Sequence, residues 1–407
     1  MSTIAFKKKR MLFLTTAFPL PLDNGGKIRT FHVIEALSKE YTIDLVCFNE
    51  PPFIDKRYID ELKEYCNEVI VIKKIFTNSK SKRTFIKNIA KSFIKRTPFI
   101  IEKFYDKEYS YALEGLLNKN KYSAVFFEHL SITSYRNMFK NVYCKSILSQ
   151  QNCEYLILKR RLENESSLVK RAYLHYECKK LEKYEKKTCA SFDKVIMLSE
   201  EDKKNIVTES YGKDNTSIVP IAVSCDYRKQ NYNNTFMNLL FMGTMSWYPN
   251  EQGAFWFLEN VWKYLQTEYE DKIKLYIVGK NPSNNIKKYE GKDVEVTGYV
   301  DDVNKYIEIC DICIVPLFIG GGMRVKILEC MAKGIPVIST SIGAEGIKCT
   351  NFEDIIIANT KDEFIRAIQE LNRNHELYKR IVCNGKALVE RNYSIDVIRN
   401  LLIESIV

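Results

Sequence analysis

The densest chemistry in the chain lies in ten consecutive residues, Gly320-Gly321-Gly322-Met323-Arg324-Val-Lys326-Ile-Leu-Glu329. The apolar run Ile312–Pro316 leads into them as a strand, and the segment Arg324–Lys333 follows with helical periodicity. Three glycines let the backbone approach a ligand and leave the first N–H groups of the helix free. With the positive end of the helix dipole, this makes an anion site suited to phosphate. Arg324 and Lys326 add two positive charges in the first turn, where the dipole alone disfavours cations, so an anion is expected to compensate them. Glu329, one and a half turns on, can accept two hydroxyl hydrogen bonds, as vicinal ribose hydroxyls require. A plain tight turn before a capped helix needs neither three glycines nor misplaced cations.

A second glycine-bearing helix entrance follows the first apolar run: Pro19-Leu-Pro21-Leu-Asp23-Asn-Gly25-Gly26-Lys27-Ile-Arg29. It lacks the GxGxxG spacing, which disfavours a dinucleotide oxidoreductase. Taken alone it reads equally well as an ordinary β–α turn.

Loops of this kind need strands that end at them. Short apolar runs supply these at Met11–Thr16, Ile43–Phe48, Val69–Lys73, Ala124–Phe127, Ser146–Ser149 and Lys194–Leu198. A second series follows at Leu239–Met242, Lys274–Val278, Val294–Thr297, Ile312–Pro316, Val337–Thr340 and Ile355–Ile357. The runs are continuous rather than alternating, which predicts parallel sheets covered on both faces, and helical patterns separate them. The expected fold class is therefore α/β, with two Rossmann-like doubly wound domains facing a cleft. The periodicity breaks near Asn231-Tyr-Asn-Asn234. The expected boundaries are residues 1–220 for the first domain, 236–388 for the second, and 389–407 for a C-terminal helix returning to the first.

Composition bounds the rest. With 45% hydrophobic and 28% charged residues and only 16 Gly and 10 Pro, the 407-residue chain is neither fibrous nor disordered. No run reaches the 18 apolar residues of a spanning helix, and the stretch after Lys7-Lys8-Lys9-Arg10 is too short and too proline-flanked for a secretion signal. The 12 cysteines are scattered through apolar stretches and read as reduced, buried thiols of a cytoplasmic protein. Residues 1–200 hold 37 Lys and Arg against 23 Asp and Glu, whereas the remainder holds 25 against 28, so the positive charge sits in the first half. Solvated helix faces explain this, as does an anionic surface or substrate. No nucleic-acid-binding module is recognisable, so nucleic acid is not an expected partner.

Together these residues resemble glycosyltransferase family 4, retaining enzymes of the two-domain GT-B fold, over nearly the whole chain. The Gly320–Glu329 segment, with Met331-Ala-Lys-Gly-Ile-Pro-Val-Ile-Ser-Thr340 and Gly343-Ala-Glu-Gly346, looks like the family's donor-nucleotide motif. Phe241-Met-Gly243-Thr244-Met-Ser-Trp247-Tyr-Pro-Asn250, Val278-Gly279 and Thr297-Gly298-Tyr-Val300 look like further strand ends of its donor domain. In the first half, Asp23-Asn-Gly-Gly26, Lys183-Tyr-Glu185 and Leu198-Ser-Glu-Glu-Asp202 also fit. The resemblance implies transfer of a sugar from a nucleotide-sugar with retention of anomeric configuration. It implies no metal and no cofactor, since cations and helix N-termini neutralise the departing diphosphate. It places donor binding at Gly25, Gly26, Gly243, Thr244, Gly279, Val300, Gly320, Gly321, Gly322, Met323 and Glu329.

The sequence departs from the family pattern at several points. Members commonly carry two acidic residues eight positions apart; Glu329 fills the second place and Gly321 stands in the first. Where many members have Arg and Lys after the first donor-domain strand, this chain has Thr244 and Asn250, so Arg324 and Lys326 are expected to supply the phosphate-binding charge. Gln151 and Asn152 occupy the loop where a family His often falls. His129, at the end of a neighbouring strand, reads either as a cleft residue or as a satisfied surface histidine. Arg324, Lys326 and His129 are the candidate catalytic residues, with Lys27, Arg29, Gln151 and Asn152 on the acceptor side.

The expected acceptor is lipid-linked or a glycan, in synthesis of a bacterial surface polysaccharide or glycolipid. In Lys80–Arg96, the residues Phe85, Ile86, Ile89, Phe93 and Ile94 share a helical face flanked by Lys and Arg. This suits an anionic membrane surface, which would put the protein at the inner face of the membrane, and it equally suits a helix packed on its own sheet. The alternative functions are a nucleotide-sugar epimerase of the same fold and an inactive binding partner of a transferase.

Overall fold

In the computed structural model, residues 8–51, 55–76, 97–163, 165–207, 215–225 and 236–406 are described. The basic segment Lys80–Arg96 and the Asn231–Asn234 break lie outside them. The chain divides into two compact units, Met1–Val219 with Arg399–Val407, and Pro220–Ile398.

The first unit is built on seven strands: β1 (Lys9–Thr15), β2 (Tyr41–Asn49), β3 (Cys66–Lys73), β4 (Ala124–Glu128), β5 (Lys145–Ser149), β6 (Lys194–Met197) and β7 (Thr216–Ile218). They lie in the order β3-β2-β1-β4-β5-β6-β7, and every neighbouring pair is parallel. The apolar continuity that predicts a two-sided sheet is borne out, since Met11, Leu12, Phe13 and Leu14 on β1 are all fully buried. The first six strands follow the predicted runs. β7 escaped the sequence reading because it has three residues, all only partly buried. The basic stretch after residue 153 forms a helix pair, Glu154–Glu163 and Leu168–Ala190.

The second unit carries β8 (Met237–Met242), β9 (Ile273–Val278), β10 (Val294–Gly298), β11 (Ile312–Val315), β12 (Val337–Ser339) and β13 (Ile356–Ile357), in the parallel order β10-β9-β8-β11-β12-β13. Its core gathers Leu239, Phe241, Trp262, Ile277, Ile314 and Phe364. The helical stretch after β8 is interrupted: Tyr248–Phe257 passes through a π-helical turn, Leu258–Trp262, into Lys263–Tyr269.

In each sheet, strand order reverses next to the first strand, between β1 and β4 and between β8 and β11. Loops leaving the carboxyl ends of strands at such a reversal are where doubly wound sheets bind ligands. Both glycine-bearing helix entrances, after β1 and after β11, lie at these points. Among the described residues, no helix is long and apolar enough to cross a membrane.

Candidate active site

In the second unit, β8 and β11 deliver their loops side by side. Gly320 (φ +143°) and Gly322 (φ +72°) adopt backbone angles that residues with a Cβ rarely take, so the loop needs glycine there. Arg324 is the N-cap of the helix Val325–Lys333 and is only 6% exposed. Its Nη1 donates to the carbonyls of Gly321 and Gly322, and its guanidinium carbon lies 5.3 Å from the centroid of the Trp247 ring. The arginine thus ties the glycine loop together from within.

Lys326 projects toward the loop after β8. Its Nζ donates to Asn250 Oδ1 at 2.9 Å and lies 5.2 Å from the Phe241 ring centroid. Asn250, itself buried, donates from Nδ2 to the Thr244 carbonyl at 3.0 Å. Asn250 therefore links the two loops through neutral hydrogen bonds, and no described carboxylate forms an ion pair with the lysine. Burial pulls the Lys326 pKa down to about 8, and the nearby Arg324 charge adds to the fall. Glu329, on the same helix, has its carboxyl pushed up by burial, against the opposing pull of Lys326 and Lys333. It makes no hydrogen bond or ion pair with any described residue.

Gly243 and Gly279, at the ends of β8 and β9, bring two backbones into contact. A Cβ on Gly279 would stand 2.0 Å from the Gly243 carbonyl oxygen, so neither strand end tolerates a side chain. Met323 is buried in the loop, and Val300 lies partly buried beyond β10. The structure thus brings Gly243, Thr244, Asn250, Arg324 and Lys326 together at one strand-order reversal.

In the first unit, Gly25 and Gly26 open the helix Gly25–Leu37, and Asn24 caps it by accepting from the Lys27 N–H at 3.1 Å. Lys27 Nζ pairs with Asp23 Oδ1 at 3.0 Å. Arg29 needs correction. It is 2% exposed, donating to the Val219 carbonyl at 3.0 Å and to Ser149 Oγ at 3.4 Å, with Glu128 Oε1 at 3.9 Å from its Nε. These partners make it an interior strut rather than an acceptor-facing cation. The expectation for Gln151 also changes, because its Nε2 donates inward to Glu128 Oε1 at 2.8 Å and to Thr30 Oγ1 at 3.3 Å.

His129 ends β4 with φ +94°, an uncommon conformation for a non-glycine residue that costs about 1–3 kcal/mol. Its Nδ1 accepts from the Ser131 N–H at 3.1 Å, which leaves the ring proton on Nε2, 3.1 Å from Glu154 Oε1. Both ring nitrogens therefore have partners. Burial alone would lower its pKa, but the Glu154 carboxylate, with Glu128 behind it, holds it above the ordinary value. Asn152 Nδ2 also donates to Glu154 Oε1, at 3.4 Å. Glu185, from the helix Leu168–Ala190, is fully buried and accepts from the backbone N–H groups of Glu154 and Tyr155, both at 2.9 Å, and from Gln150 Nε2 at 3.0 Å. It fixes the start of the helix that carries Glu154. Sequence reasoning passed over Glu154 as a site residue. The only available signal was a carboxylate just past a strand end.

Residues 237–374 match the family model described as glycosyl transferases group 1. The chain is a glycosyltransferase. It is 27% identical over 395 residues to an uncharacterised 44.6 kDa protein in the cps region of Klebsiella pneumoniae, covering 94% of this chain and 96% of that one. The glycosyltransferase superposes on sucrose-phosphate synthase from Thermosynechococcus elongatus with a TM-score of 0.69 at 14% identity, over 98% of both chains. It also superposes on Anabaena HepE, solved with UDP and glucose, with a TM-score of 0.64 at 12% identity, over 98% of this chain and 99% of that one. At these identities the structural likeness establishes the fold, two Rossmann-like parallel-sheet domains of GT-B type.

Proposed function

We propose that the protein is a retaining, metal-independent glycosyltransferase. It moves a sugar from a nucleotide-sugar to a lipid-linked or glycan acceptor in bacterial surface polysaccharide or glycolipid synthesis. The observation that carries the donor half is the pair of cations at one helix entrance. Arg324 braces the glycine loop, while Lys326 is held by a neutral amide with no carboxylate ion-paired to it among the described residues. A largely buried charge without an ion-pair partner is costly, and a diphosphate at the glycine loop would supply one. The UDP and glucose bound to HepE and the cps location of the Klebsiella relative support the substrate class and the process. Charge builds on the departing phosphate during transfer, so Arg324 and Lys326 act mainly on turnover. Attachment to an anionic membrane surface through Lys80–Arg96 belongs to the same proposal.

The test is a binding screen of nucleotide-sugars, followed by turnover, donor affinity and melting temperature for Lys326→Met and Arg324→Met. Loss of one such electrostatic donor is expected to lower turnover about 10²–10³-fold, more than it weakens donor binding. Lys326→Met should leave the melting temperature unchanged or raised. Near-normal turnover in both variants would move the phosphate charge elsewhere, and a collapse in melting temperature would make the residues structural.

A further inference from the structure

The strand ends of the first unit hold a carboxylate that no reading above uses. Glu154 follows β5, next to the end of β4 in the sheet and close to the strand-order reversal. Its Oε1 takes both available donors, His129 Nε2–H and Asn152 Nδ2–H. Its Oε2 accepts from no described residue and is not sealed from solvent, and the side chain keeps 11% of its surface exposed. Buried Glu185 anchors the backbone beneath it. Ordinary surface carboxylates are not held this way. One oxygen is fixed by an imidazole whose own tautomer is set by the Ser131 amide, on a residue kept at positive φ, while the other oxygen is left open.

We propose that Glu154 is an acceptor-binding residue whose free oxygen accepts a hydrogen bond from a sugar hydroxyl of the acceptor, with His129 and Asn152 as the positioning residues that aim it. This rests on the reading of the chain as a transferase to a glycan or lipid-linked sugar. A carboxylate so held orients the hydroxyl lone pair and excludes rotamers that would turn the hydroxyl away. The titratable groups facing it are His129 from the end of β4 and Glu185 from the helix Leu168–Ala190, with Glu128 adjoining through His129. His129 is thereby a positioning residue in the ligand-free protein, not a base, because neither ring nitrogen is open.

The experiment compares the full chain with Glu154→Gln and His129→Asn, using a nucleotide-sugar that the wild type hydrolyses. Octyl glucoside and octyl galactoside serve as acceptor probes. Three quantities are followed: transfer to each glycoside, hydrolysis of the donor by water, and the ¹⁵N shifts of the His129 ring during titration with methyl glucoside and methyl galactoside. Glu154→Gln should lower transfer about tenfold to a hundredfold, mostly through the acceptor KM and by more than it lowers donor hydrolysis, with the melting temperature unchanged. The wild-type His129 ring should report the Nε2–H tautomer and move on glycoside addition, and the variant ring should not. Transfer and hydrolysis falling together with melting temperature would make the pair structural and overturn the proposal. So would unchanged transfer, or a wild type that hydrolyses donor yet neither transfers to nor responds to the glycosides. Absence of donor hydrolysis in the wild type would instead strike the transferase reading, and the ring shifts would still report whether glycosides reach Glu154.

Discussion

Lys326 keeps a charge that the fold makes expensive. Between about 8 and the ordinary lysine range, the unfolded chain binds a proton that the folded chain lacks, so this residue's contribution to stability rises with pH across that window. A bound anion acts the other way and holds the proton on. Nucleoside diphosphate binding at a pH slightly above that value should therefore take up a proton, seen as a calorimetric enthalpy that depends on the buffer. The uptake should vanish in Lys326→Met. An enthalpy independent of buffer would mean that the ammonium does not meet the anion. Glu329 gives a complementary expectation. Its carboxyl is raised by burial and bonded to no described residue, so Glu329→Ala should cost the ligand-free protein little. If it holds the ribose hydroxyls, the lost charge-assisted bonds, roughly 1.5–3 kcal/mol, should weaken donor affinity about tenfold to a hundredfold by calorimetry.

At the scale of elements, the helix Glu154–Glu163 depends on a neighbour for its first turn. Glu185→Ala would strip the acceptor from two backbone N–H groups and one buried amide. The expected loss is at least about 3 kcal/mol in denaturant unfolding, since each of the three unsatisfied buried donors costs about 1–3 kcal/mol. Burial, aided by the Glu154 charge, raises the Glu185 carboxyl to about 8. The folded chain thus binds a proton more tightly than the unfolded one, and this contribution falls as pH rises from the carboxylate range to that value. The alanine variant should lose that slope. The sequence showed these elements unevenly. Two-sided burial wrote the inner strands as continuous apolar runs, so β1 or β11 is plain from residue types alone. The Gly320–Glu329 loop was legible because its backbone calls for glycine at positive φ and cations are unusual at a helix entrance. The Glu185–Glu154–His129 chain was not, because it joins three elements through β4–β5 adjacency, and each carboxylate alone looks like a solvated helix charge.

For the whole molecule, the positive charge of residues 1–200 is a property of the first unit, while the glycine loop after β11 belongs to the second. The segment Arg399–Val407 rejoins the first unit after the chain has built the second. Leu402 and Ile406 are buried there, and Lys145 Nζ donates to the Ile406 carbonyl at 2.5 Å. Removing residues 399–407 should therefore destabilise the first unit by about 3–6 kcal/mol, at roughly 1.5–3 kcal/mol for each buried aliphatic side chain. Chemical denaturation of the truncated chain against the full one checks this. An unchanged first transition would mean that the helix end contributes no packing.

That returning segment also sets an order of events in biosynthesis. A ribosome releases the first seven strands well before the residues that cover them, because residues 220–398 must be made in between. At roughly 5–20 residues per second, the wait is about 10–40 s. Over that interval the nascent first unit presents the apolar ground meant for Leu402 and Ile406 to whatever meets it, so a chaperone that binds exposed apolar surface would find its longest opportunity there.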